Sequence, residues 1–157
     1  MSSHYLWESL RVVLWLTMAF ALWKGDRAVR IAAIVIVLLD VATFLIRPKF
    51  GDTSGETILL TVDFGCAVVL LFLAVRYANL WIGAAMLFQA AQFSLHAFYL
   101  VMDRKHDPLH AWINNLDLLG IVISIAWGTA LAIRRRVILA QEDAELAARR
   151  QKLSQGA

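Results

Sequence analysis

Cysteine is nearly absent from this chain: Cys66 is the only one, and it lies within an apolar run. A lone thiol excludes an intrachain disulfide and any metal chemistry built on pairs of thiolates. Charge is also scarce, with charged residues making up 17% of the 157 positions against 61% hydrophobic ones. That balance is foreign to a soluble domain and ordinary for a small polytopic membrane protein of one domain. The signatures of phosphate loops, dinucleotide-binding turns, CxxC centres, HExxH zinc helices and nucleophile elbows are all missing, so catalysis has no support and no cofactor is required. The net charge of +3 is gathered in short clusters bordering apolar runs. Such segregation orients a chain in a membrane and argues against nucleic acid as a partner.

What is present is a succession of apolar stretches: Tyr5 to Trp23, Ile31 to Ile46, Ile58 to Val75, Tyr77 to Met102 and Ala111 to Ile133. Most approach the roughly 20 residues of a bilayer span, and the second reaches it from Val29 to Pro48 if its flanking arginines snorkel. The expected fold is therefore all-α, a bundle of about five transmembrane helices over residues 1–136 with a cytoplasmic helical tail over 137–157. The third and fourth stretches are separated only by Arg76 to Asn79, which makes them an antiparallel hairpin if both cross fully. The alternative is four spans with one of these segments re-entrant. Ala19-Phe20-Ala21 has the spacing of a signal-peptide cleavage site, but Glu8 precedes Arg11, a basic lead is lacking and the apolar run continues through Trp23. These departures favour a retained first helix.

Loop charge sets the orientation. Lys24, Arg27, Arg30, Arg76, Arg134, Arg135 and Arg136 fall on one side, outweighing Arg47, Lys49, Arg104 and Lys105 on the other, where Asp52, Glu56, Asp103 and Asp107 offset them. The positive-inside rule then places the amino terminus outside, in the periplasm of a bacterial cell, and the carboxyl terminus in the cytoplasm. Trp7, Trp23, Tyr77, Trp81, Tyr99 and Trp112 near span ends suit interfacial belts, or simple packing mass. In the tail Leu139, Leu146 and Leu153 repeat every seven residues without the companion apolar positions of a full coiled coil. The stripe suits docking to a partner, or a helix that lies on lipid or projects into solvent.

Four carboxylates sit inside apolar stretches: Glu8, Asp40, Asp63 and Asp117. A charge at mid-span costs about 2.5 to 3.5 kcal/mol on insertion scales, so such residues normally face inward. Threaded as above, all four occupy one layer near the outer interface, together with Arg11 and His96. Gln89, Gln92, His96 and Tyr99 form one polar stripe on the fourth span, and Asn114, Asp117 and Ser124 another on the fifth. Glu8, Arg11 and Trp15 share a face, as do Asp40, Thr43 and Arg47. Gly120, Ser124 and Gly128 would let another helix approach the fifth closely.

The layer holds four acids against one permanent cation, Arg11, and excess carboxylate in a low dielectric must be protonated, solvated or matched by a bound cation. Three readings follow. The groups fix helix register as structural glue; or Glu8, Arg11, Asp40, Asp63, Gln92, His96 and Asp117 line an outward-facing site for a proton, a cation or a small polar solute; or His96, the one embedded imidazole, serves a metal or haem. A second histidine feature, His106 and His110, has the spacing of helical metal ligands, with Asp103 as a possible third. Pro108 between them argues for a polar loop instead.

The run Arg47-Pro48-Lys49-Phe50-Gly51, then Asp63, then Arg76-Tyr77-Ala78-Asn79-Leu80-Trp81 and Gln89 to His96, resembles a group of small polytopic inner-membrane proteins of alphaproteobacteria. The resemblance covers residues 24 to 133 and rests on short motifs; it implies a setting, the inner membrane, and no activity. The basic tail looks like an addition to that pattern. The leading expectation is a non-catalytic inner-membrane accessory or binding subunit, partnered by the lipid bilayer and by other membrane subunits or a second copy of itself. The alternative is a proton- or cation-coupled transporter or membrane sensor.

Overall fold

The computed structural model describes the backbone of residues 3–50, 52–104 and 107–155, and the side chains of 8–46, 55–104 and 107–153. It is all helical among the described residues. α1 spans Ser3–Lys24, α2 Arg27–Phe50, α3 Asp52–Tyr77, α4 Leu80–Val101 and α5 Pro108–Gln155. Each helix packs against its neighbours in sequence, and α1 closes the ring against α5, with a smaller contact of α2 on α5 across the bundle. α2, α3, α4 and α5 are each long and apolar enough to cross a membrane; α1 does not meet that measure among the described residues.

Helices suit this composition because in lipid every backbone N–H and C=O must find its partner within the segment. Their ends are set by individual residues. Asp26 Oδ1 accepts the Val29 N–H at 2.9 Å and caps α2, while the Gly25 N–H closes α1 on the Ala21 carbonyl at 2.8 Å. A Cβ at Gly25 would collide with the Ala21 carbonyl oxygen and would lie 2.5 Å from Val29 Cγ1, so only glycine fits this turn. Ala78, at φ 49°, breaks the chain between α3 and α4. Both of those helices run full length and pack closely against each other, as a hairpin requires. The expected outer loop between the second and third spans is also taken up by helix, since α2 continues to Phe50 and α3 begins at Asp52.

The interior is built from small and branched residues: Ala21 of α1, Ala28, Ala32 and Ala33 of α2, Leu70 and Leu73 of α3, Ile82 of α4, Ile121 and Ile125 of α5. Large apolar side chains such as Leu16, Leu38, Phe72, Leu87 and Trp127 point outward. This distribution fits lipid, where tails are as apolar as leucine and close packing, with hydrogen bonds, holds helices together. The glycines of α5 serve that packing as expected, though their partners are aromatic. A Cβ at Gly120 would lie 2.5 Å from the Phe88 ring and one at Gly128 2.5 Å from Trp81. Trp81 and Tyr99 are buried in the bundle, the packing alternative, whereas Trp23 and Trp112 are exposed near helix ends. Trp7 lies outside the described side chains.

The tail is the continuation of α5. That helix has 48 residues, about 72 Å at roughly 1.5 Å per residue, more than twice the thickness of a bilayer core. From Arg134 to Leu153 every residue is exposed. Arg136 Nη2 donates to the Gly25 carbonyl at 2.8 Å and ties the base of this projection to the α1–α2 turn.

Candidate functional site: a polar cluster between three helices

The structure divides the expected layer in two. Between α1 and α2, Arg11 Nη2 lies 3.3 Å from Asp40 Oδ2, and the Trp15 indole N–H donates to the same oxygen at 3.2 Å. The Arg11 guanidinium also stands 5.3 Å from the Phe44 ring centre. Both members of the pair are partly exposed, so Asp40 is neutralised locally by Arg11 and serves to hold α1 to α2. Glu8 is exposed on α1 and joins neither group among the described residues. Thr43 donates to the Leu39 carbonyl of its own helix.

The second group lies between α3, α4 and α5. Asp63 of α3 is buried, and its Oδ2 sits 2.6 Å from His96 Nδ1 of α4. The other ring nitrogen, Nε2, is 3.2 Å from Asn114 Oδ1 of α5, an oxygen that also accepts from Gln92 Nε2 at 3.1 Å. Gln89, fully buried about two turns from His96 along α4, reaches Asp63 Oδ1 through Nε2 in a long hydrogen bond of 3.4 Å. His96, Gln92 and Gln89 fall on one face of α4 because they recur at intervals of four and three. Asp117 is buried on α5 within electrostatic reach of His96.

The hydrogen bonds define what this cluster can do. Asp63, as a carboxylate, accepts the Nδ1 proton of His96. With Asn114 Oδ1 turned toward Nε2, the arrangement satisfies a ring that carries protons on both nitrogens, and the imidazolium then balances Asp63. A ring protonated only at Nδ1 needs a donor at Nε2, which Asn114 supplies when its amide turns end for end and Gln92 turns with it. Both protonation states can therefore be met without moving a helix. That property suits a proton-binding group, and ionisable side chains inside a membrane are the first place to look for a functional site.

From His96 the polar groups continue toward the end of the bundle where α4 passes into α5. The buried His110 ring of α5 stacks on His96 at 5.4 Å, the buried Tyr99 ring meets His110 edge-on at 4.7 Å, and the Tyr99 hydroxyl donates to Asp107 Oδ1 at 2.7 Å. Asp107 also accepts the His110 backbone N–H at 2.8 Å. It is the N-cap of α5, and Pro108 is the first residue of the helix, a position where its missing N–H costs nothing. Pro108 therefore starts a helix where the spacing suggested only a loop, and His110 belongs to that helix. His106 lies outside the described residues. No group of three or more His, Cys, Asp and Glu side chains among the described residues is arranged to hold a metal ion.

Sequence reasoning singled out Asp63, Gln92, His96 and Asp117, and all four fall in or beside this cluster. It underrated Asn114, the α5 anchor, whose signal was its place three residues before Asp117 on one helical face. It missed His110 and Tyr99 as neighbours, and overrated Ser124, which bonds to the Gly120 carbonyl of its own helix at 2.7 Å.

Fold and site together define an integral membrane helix bundle with a hydrogen-bonded polar cluster among three of its helices. Comparison with protein-family models, with curated proteins and with solved structures finds no match.

Proposed function

We propose that this chain is a non-catalytic inner-membrane binding or accessory component that takes up a proton at Asp63 and His96 on the periplasmic side of the bundle. The observation that carries the reading is the 2.6 Å contact of Asp63 Oδ2 with His96 Nδ1, together with an amide pair able to satisfy either state of the ring. The exposed stripe of Leu139, Leu146 and Leu153 on the projecting part of α5 supports association with another membrane subunit or a second copy, the accessory side of the same reading. Likeness to small inner-membrane proteins of alphaproteobacteria supplies the setting.

The second reading, a proton-coupled transporter or sensor, is favoured by the run of His110, Tyr99 and Asp107 from the cluster toward the outer loop. Two measurements separate these. Nitrogen NMR of ring-labelled histidine in nanodiscs, recorded over a range of pH, should show the ring nitrogens of His96 changing protonation, in a manner altered by Asp63→Asn. A ring locked in one state across that range would end both readings. Proton flux into proteoliposomes, abolished by Asp63→Asn, would select the transporter; its absence beside a titrating His96 selects the binding component.

A further inference from the structure

One part of the cluster is left unbalanced. Gln89 is 0% exposed and its Oε1 has no hydrogen-bond donor among the described residues; Asp117 is 6% exposed and its Oδ2 has none either. The two stand at the same level. Gln92 of α4 meets Asn114 of α5, and Phe88 of α4 lies over Gly120 of α5. Counted inward along the antiparallel pair from the first contact, Gln89 is three residues on from Gln92 and Asp117 three on from Asn114, so both lie between the two contacts. Gln89 Nε2 is directed to Asp63, so its oxygen is the end left over.

Two buried acceptors cannot satisfy one another, and each left bare keeps the full penalty of its lost hydration. One proton resolves both: placed on Asp117, it turns an acceptor into an O–H donor to Gln89 Oε1 and removes a charge from the membrane interior. Among the described residues the one titratable base within electrostatic reach of Asp117 is His96, whose charge Asp63 already balances. On α3 the titratable groups are Asp63 and Cys66, on α4 His96 is already engaged by Asp63, and Arg11 of α1 pairs with Asp40 of α2.

We infer that Asp117 with Gln89 is a second proton-binding position, set deeper in the bundle than the Asp63–His96 pair. This rests on the reading of the cluster as a proton-binding site. The proton forms the O–H bond of the Asp117 carboxyl, is drawn from water through the cluster, and is hydrogen-bonded to Gln89 Oε1.

Infrared difference spectra of the whole protein in lipid test it. Wild type at neutral pH should show the carbonyl stretch of a protonated carboxylic acid, shifted in heavy water, that vanishes in Asp117→Asn and survives in Asp63→Asn. Asp117→Asn should assemble, since its amide can still donate to Gln89. Should it not, carboxyl-carbon NMR of aspartate-labelled wild type reads the same protonation directly. A missing acid band, a band insensitive to heavy water or a band that survives Asp117→Asn overturns the inference. Titration of His96 without that band leaves the Asp63–His96 reading standing alone; the band without titration of His96 sinks that reading and spares this position.

Discussion

Asp107 shows how one side chain joins the polar groups to the scaffold. Its Oδ1 takes the His110 backbone N–H at the start of α5 and the Tyr99 hydroxyl from the end of α4. The His110 N–H above all, then the Tyr99 hydroxyl, with nearby positive charge from Arg104, favour the ionised form and hold this carboxyl below the usual carboxylate range. Because the folded value lies below the unfolded one, the contribution is complete above the unfolded carboxylate range and is lost as pH falls through the folded value. Asp107→Asn keeps an acceptor for the helix cap and removes the titration. The variant should therefore lose part of the acid dependence of the thermal midpoint, measured from about pH 6 to about pH 2, while wild type keeps it. At this scale the sequence was legible where a residue was anomalous. Asp63 and His96 are conspicuous in apolar runs, whereas Asp107 and His110 lie in a polar stretch where a cap looks like any loop.

At the scale of helices, α4 and α5 are fitted by glycine under aromatic rings. Gly128 receives Trp81, and Gly120 receives Phe88, which sets the register that brings Gln92 to Asn114 and His96 to His110. Gly128→Val should force Trp81 from its place, lowering stability by about 1 to 3 kcal/mol. The check is the thermal midpoint in detergent, with the His96 titration read in parallel; an unchanged midpoint would mean that Trp81 has room to move. The small-residue spacing on α5 was readable in advance, and so was the polar stripe on α4, because both follow from helical periodicity. The identity of the partner was not, since spacing fixes which residues share a face and not which helix meets that face.

For the molecule as a whole, the decisive features are the closed ring of five helices and the length of α5 beyond any bilayer. With basic residues at the Lys24–Arg30, Arg76 and Arg134–Arg136 end, the proposed orientation puts that projection in the cytoplasm. Two cysteine substitutions test the orientation, the native Cys66 being buried. Leu146→Cys should react with a membrane-impermeant maleimide only when the cytoplasmic face is opened, and Thr57→Cys, exposed near the other end of α3, from the periplasmic side of intact spheroplasts. Reversed labelling would invert the bundle and put the cluster on the cytoplasmic side.

The sequence by itself determined that the chain is helical, apolar and polarised in charge, because those properties follow from composition and from periodicity along one helix. It also marked the embedded carboxylates, since each is costly wherever its helix packs. Only the tertiary structure decided that they do not form one site. Depth along a helix is legible in residue numbers, but azimuth around the bundle depends on which helices touch; that contact gave Asp40 to Arg11, gave Asp63 to His96, and left Asp117 buried with one carboxyl oxygen unmatched among the described residues.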